Sequence, residues 1–377
     1  MGHFAMGYVR SAVKFAGAQA LSLFIIFNIV IWIICLGFSV ANLVKRGPGA
    51  SQFGKRVPMA NLPNYAGVDW ARTHFVEIGS LSSVYVSYIG WRRKPFHGQT
   101  ITLDGPYAQR ATVGSASPDK PSVYFFGGST MWGTGSDDAN TIPSLVTQLG
   151  GFRSENYGES AYTAHQSLAL LIQLLQEGHR PNVVVFYDGA NDVSQKCRSE
   201  LTAKSHAREA QISAALATAK PQNAYGLQYM AGPFVGLAAV VSNGISERRR
   251  DSEGQYFACH TDPLRAQQIA DYLFQDWEVA RRLVESYGGK FIGILQPVAY
   301  YSSTKLAHLQ LGDTLKQQFE AVYPLVRKRM AGQPNLYDFT DVLDRQEYHY
   351  IDFCHLSPNG NRYVAERLVE VLVALKP

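Results

Sequence analysis

Cysteine is scarce in this chain, with four in 377 residues, which excludes a disulfide scaffold. Cys35 sits inside an apolar N-terminal stretch. Cys197, Cys259 and Cys354 form no CxxC or Cys/His cluster at zinc spacing. A Cys197–Cys259 bridge is open only to a domain outside the cytosol. Charge is sparse as well, at 17% of residues with a net charge of +5. The one dense basic run, Arg248–Arg249–Arg250, has no interleaved aromatics. It therefore reads as a solvated face or a contact to anionic lipid or polymer, and no nucleic acid is expected as partner. No Gly-rich loop carries a phosphate-binding lysine and no dinucleotide fingerprint follows a strand. Neither a metal nor an organic cofactor is implied. Internal repeats and low-complexity tracts are absent.

Apolar residues, in contrast, are plentiful at 46%, enough for a substantial core. Aromatic residues reach 12%, with 21 tyrosines, which suits a surface that stacks on sugar rings and suits an ordinary core equally well. Phe15 to Val44 holds no charged side chain, long enough to span a bilayer and too long for a cleaved signal peptide. A retained, single-pass membrane anchor is expected. Arg10 and Lys14 precede it, and Lys45, Arg46, Lys55 and Arg56 follow it. By the positive-inside rule these charges favour a cytoplasmic C-terminal domain, whereas the function argued below favours the extracytoplasmic side.

The chain then divides into an anchor (1–46), a Pro/Gly/Asn-rich tether with a small β-element (47–120), and a main domain (121–377) with an insertion at about 193–262. Val84 to Trp91 and Thr100 to Leu103 are the β-rich parts of the small element. From Val123 the pattern alternates. Continuous apolar runs at Val123–Phe126, Val183–Tyr187 and Phe291–Leu295 read as buried parallel strands, joined by the shorter Phe152–Tyr157 and Leu336–Phe339. Helical spacing covers Ile142–Leu149, Ala161–Glu177, Pro263–Tyr287, Leu315–Met330 and Pro358–Leu375. Strands alternating with helices imply an α/β fold with a mostly parallel sheet. Glycine and proline breaks in Pro221–Ser246 favour a buried or lid-like excursion over a second membrane span.

Several strand ends carry residues of complementary chemistry. The first strand stops at Gly127–Gly128 and presents Ser129, in GGST. A serine at the carboxyl end of a parallel strand lies where open α/β sheets bind ligands, although such a turn alone often just ends a strand. A nucleophilic serine needs a base, a group that orients the base, and donors for an oxyanion. His355, in DFCH, stands with Asp352 three residues before it, a spacing that can set the carboxylate on the Nδ1 side of the imidazole. Read alone, that pair is equally a capping turn before Pro358. His165 is the rival base, read as a surface or capping residue. Gly158, in NYG, offers a backbone N–H. Asn191, in GAND, offers a side-chain amide, with Gly189 permitting the turn and Asp192 pinning the loop.

The blocks GGST, NYG, GAND and DFCH resemble, in order and spacing, those of the SGNH hydrolases, the GDSL-like lipases and esterases, across Val123 to Leu375. The resemblance implies a three-layer α/β/α fold with a five-stranded parallel sheet, flavodoxin-like. It implies Ser129 as nucleophile, His355 and Asp352 completing a triad, and Ser129, Gly158 and Asn191 as oxyanion donors. Gly128 stands where many members carry Asp, a variation that resembles carbohydrate-acting branches. The expected function is a membrane-anchored esterase that removes O-acetyl groups from a cell-surface or exported polysaccharide, beside polysaccharide biosynthesis or export partners. An O-acetyltransferase on the same fold and a non-catalytic polysaccharide-binding or assembly subunit are the alternatives.

Overall fold

The computed structural model describes residue 19, residues 21–33, 57–209, 211–213 and 256–375. Of the chain's two units, that made of Gln52–Ala214 and Tyr256–Pro377 carries the fold discussed below. Ten strands form among the described residues: β1 (Ser83–Val86), β2 (Gly90–Arg93), β3 (Phe96–His97), β4 (Thr102–Asp104), β5 (Gln109–Arg110), β6 (Ser122–Gly127), β7 (Arg153–Asn156), β8 (Val183–Asp188), β9 (Lys290–Leu295) and β10 (Leu336–Asp338). The helices that pack around them are α1 (Ala71–Ser80), α2 (Ser129–Trp132), α3 (Ile142–Gly150), α4 (Ala164–Gln176), α5 (Ala190–Lys196), α6 (Pro263–Glu285), α7 (Asp313–Met330) and α8 (Pro358–Ala374).

The main sheet runs β10-β9-β8-β6-β7-β5-β4-β3. Strands β10, β9, β8, β6 and β7 are mutually parallel, while β5, β4 and β3 continue the β7 edge antiparallel. The expectation of a five-stranded parallel sheet is therefore corrected to an eight-stranded mixed one. The reason is local: part of the small β-element pairs into the sheet, because Arg110 in β5 meets Asn156 in β7 and so covers an otherwise open edge. Only β1 and β2 form a separate antiparallel pair.

Alternation along the strands builds the two sides of the core. Val123 and Phe125 of β6 join Val185 of β8 and Ile292 and Ile294 of β9, packing with α3 and α8 through Leu145, Val146, Leu368 and Val371. Tyr124 and Phe126 point the other way, into a cluster with Leu171 of α4, Ile269 and Trp277 of α6, and Phe319 and Val322 of α7. Proline and cap residues set the helix starts. Thr141 accepts from the Ser144 amide before Pro143, Asp262 from Arg265 before Pro263, and Ser357 from Gly360 before Pro358.

Within the parallel part, β6 is followed by β7 on one side and β8 on the other, so the strand order reverses at the carboxyl end of β6. That is the switch point where open sheets of this kind hold ligands. Of the anchor stretch, residue 19 and residues 21–33 are described, and they are helical. No helix among the described residues is long and apolar enough to cross a membrane. The rest of Phe15–Val44, and the Pro221–Ser246 excursion, lie outside the described residues.

Candidate active site

Strand β6 ends in Gly127, and Ser129 is the first residue of α2, buried to 9% exposure. Its Oγ stands 2.6 Å from His355 Nε2, across 226 residues of chain. The other ring nitrogen, Nδ1, is 2.6 Å from Asp352 Oδ2. Oδ1 of the same carboxylate accepts the backbone N–H groups of Cys354 at 2.9 Å and His355 at 2.8 Å. Burial alone would raise the Asp352 pKa; the charge of His355 and these hydrogen bonds outweigh it and bring it down to about 2. An ionised Asp352 accepts only, so Nδ1 carries the proton and Nε2 is left to accept from the Ser129 hydroxyl. The capping role in α8 falls to Ser357 instead, which frees Asp352 and His355 for each other.

The structure brings Asn191 to the same place. A Cβ built on Gly128 would lie 2.3 Å from Asn191 Nδ2, so only glycine fits beside that amide. Asn191 Nδ2 also donates to Tyr162 O at 2.8 Å, which orients it and leaves its second hydrogen for another acceptor. Gly158 is placed differently from the expectation. Its N–H donates to Asn156 Oδ1 at 3.0 Å, so the amide is already engaged, and any oxyanion would have to share it. A Cβ there would lie 2.5 Å from the Trp132 amide nitrogen, which makes Gly158 a close-packing position under α2. In the same loop Ala161 holds φ at 62°, a left-handed conformation uncommon for a residue with a Cβ.

Asp192 pins its surroundings as the sequence suggests. It accepts Lys196 Nζ at 2.7 Å and the Ala164 amide at 3.3 Å, tying α5 to the start of α4. Gly189, with φ at 120°, makes the turn out of β8. His165 stays out of the triad: its side chain is 68% exposed and its Nδ1 pairs with Asp276 at 2.9 Å. Two residues that the sequence reading passed over complete the strand ends. Asp188 is buried with its Oδ2 on Trp277 Nε1 at 3.0 Å, and burial followed by the charge of Asp192 pushes its pKa well up. Gln296, after β9, donates to Thr130 Oγ1 at 3.2 Å, beside the nucleophile.

A larger omission is the buried clamp from β2. Arg92 donates to Tyr107 O at 2.9 Å and, through Nη1, to Tyr157 O at 2.9 Å and Gly158 O at 3.3 Å. The buried Glu159 accepts from the Arg93 amide at 2.9 Å and lies 3.8 Å from Arg92 Nε and 3.6 Å from Arg93 Nε. Trp91 Nε1 donates to Ser160 O at 3.1 Å, and the Tyr162 hydroxyl donates to Trp91 O. Thus β2 holds the 157–162 loop along its length. The indole of Trp132, at the end of α2, is sandwiched between the guanidinium groups of Arg93 at 3.9 Å and Arg110 at 4.4 Å. Arg110 and Asn156 also cap carbonyls of residues 131–133. The turn that carries Ser129 is fixed from below by side chains far off in sequence. The signal that could have shown this is the pair Arg92–Arg93 inside a β-rich stretch, where strand arginines have no open solvent to reach.

Cys197 and Cys259 are joined in a disulfide, and Cys354 is free and buried.

No protein family matches the chain by sequence, and no curated protein does. Among solved structures it is similar to a putative lipolytic protein of the G-D-S-L family from Desulfitobacterium hafniense, at 12% identity and a TM-score of 0.38 over 67% of this chain and 99% of that one. It is similar to a lipolytic protein of the same family from Veillonella parvula, at 12% identity and 0.39 over 67% and 99%. A carbohydrate acetylesterase family member from Sinorhizobium meliloti is similar at 15% identity and 0.35 over 68% and 100%. At scores this low the chemistry rests on the geometry of the site itself.

Proposed function

We propose that the chain is a serine ester hydrolase of the SGNH type that removes O-acetyl groups from a polysaccharide. The observation that carries the reading is the continuous relay Asp352–His355–Ser129, with 2.6 Å at each link, at the switch point of the parallel strands. His355 takes the Ser129 proton on Nε2 as Oγ attacks the ester carbonyl, and Asp352 stabilises the imidazolium that results. The oxyanion is held by the Ser129 amide and the free hydrogen of Asn191 Nδ2, with the Gly158 N–H, shared with Asn156 Oδ1, as third donor. His355 then returns the proton to the departing sugar oxygen. Water, deprotonated in turn by His355, releases acetate from the acyl-enzyme. A short acyl group suits a nucleophile that is nearly buried and crowded by Gly128, Tyr162 and Asn191.

The reading includes an anchor at Phe15–Val44 that holds the domain beside a polymer made or exported at the membrane. The Cys197–Cys259 disulfide supports the extracytoplasmic side, where such bonds persist. The test is hydrolysis of p-nitrophenyl acetate: wild type should turn over and Ser129→Ala should fall to the uncatalysed rate. Equal turnover by the two would sink the hydrolytic reading.

A further inference from the structure

The hairpin of β1 and β2 ends in a turn whose chemistry is inverted. Tight hairpin turns place Gly, Asn or Asp where φ is positive, yet here Tyr88 takes φ of 64° and is 97% exposed. An aromatic held in a strained conformation with no packing gain breaks a local rule without compensation inside the chain. Tyr85, on β1, is 72% exposed as well. Together they form one wall of a groove of about 990 Å³ whose other wall is α4, through Ile172, Gln173 and Gln176, with Glu177 just past its end.

The groove lining contains no Lys, Arg or His, and its one carboxylate, Glu177, accepts from the Tyr107 hydroxyl. It offers two large amphipathic rings, two amides and no cation. That combination stacks and hydrogen-bonds a polyhydroxylated neutral chain, whereas an acidic polymer or an anionic lipid surface would find no countercharge. The hairpin and α4 also tie this groove to the loop beside Asn191. Gln166 donates to Ile89 O at 3.2 Å, joining the hairpin to α4, and α4 begins directly after the Ala161–Tyr162 loop. Gln173 lies nine residues into that helix from Ala164, about 14 Å along its axis.

We propose that this groove is a second, non-catalytic subsite that binds a neutral glycan segment of the polymer whose ester is cleaved at Ser129. The inference rests on the esterase reading for its role, and on the Tyr85–Tyr88 groove alone for binding. The experiment compares full-length wild type with a Tyr85→Ala/Tyr88→Ala double variant on p-nitrophenyl acetate and on soluble acetylated xylan. Loss of two stacking rings should raise KM for the polymer roughly tenfold, with turnover of the small ester unchanged. Normal small-ester turnover with an unaltered polymer KM overturns the subsite. Absence of small-ester turnover in wild type overturns the esterase reading instead. A binding arm decides between them: Ser129→Ala should be retarded in gels containing acetylated xylan, and the same protein lacking both tyrosines should not be. Equal retardation of the two, or retardation by a polyuronate only, overturns the proposal. Tyr88→Gly provides a folding control, expected to match or exceed the wild-type Tm while still binding more weakly; undiminished binding there also counts against it.

Discussion

Gly128 and Asn191 approach so closely that a Cβ on the glycine would stand 2.3 Å from the asparagine's amide nitrogen. The backbone of Gly128 is extended, with φ at −77°, so contact and not strain demands glycine here. Gly128→Ala should push Asn191 out of line with the oxyanion. The expected loss is about 10²–10³ in kcat, similar to Asn191→Ala, with little change in Tm. A double variant no worse than either single one would show that the two substitutions remove the same interaction.

Glu159 sets its carboxylate against the buried Arg92 and Arg93. Glu159→Gln keeps the shape but removes the negative charge that faces both guanidinium groups. Removing one partner of a buried ion pair costs about 3–5 kcal/mol, which urea unfolding would register as a lower midpoint at unchanged slope. Because the same cluster holds the 157–162 loop, kcat should fall with it.

Asp352 has its folded pKa depressed to about 2, below the roughly 3.9 of an unfolded aspartate. Its contribution to stability is therefore fully present above about pH 4 and disappears as pH falls towards 2. Wild type should lose more stability across that window than Asp352→Asn, and the difference should be constant above it. At neutral pH the asparagine variant should lose roughly 10³–10⁴ in kcat, because it no longer fixes the His355 tautomer. Urea midpoints between pH 2 and 6, together with one activity assay, check both.

The parallel strands were legible because Val183–Tyr187 and Phe291–Leu295 are buried on both faces and so read as unbroken apolar runs. The long helices were legible from spacing and from Pro143, Pro263 and Pro358 at their starts. Ser129 and Asn191 were legible because each follows a buried strand, and Asp352 and His355 because they stand three residues apart just ahead of the last helix, with the chemistry a nucleophile needs. Edge strands of two or three residues, such as β3 and β5, have no periodicity to detect, so the joined eight-stranded sheet could not be read. The Arg92–Glu159 cluster spans 67 positions and the Trp132 sandwich draws on three separate segments; neither has a local signature. Asn156 taking the Gly158 amide depends on side-chain direction, which residue type alone does not give.

The most direct measurement is covalent labelling of the full-length protein with a fluorophosphonate, followed by peptide mapping. A single adduct on Ser129 is expected in wild type, greatly slowed in His355→Ala and absent in Ser129→Ala. A wild type that takes no label, or takes it equally when His355 is removed, would contradict the triad and with it the proposed function.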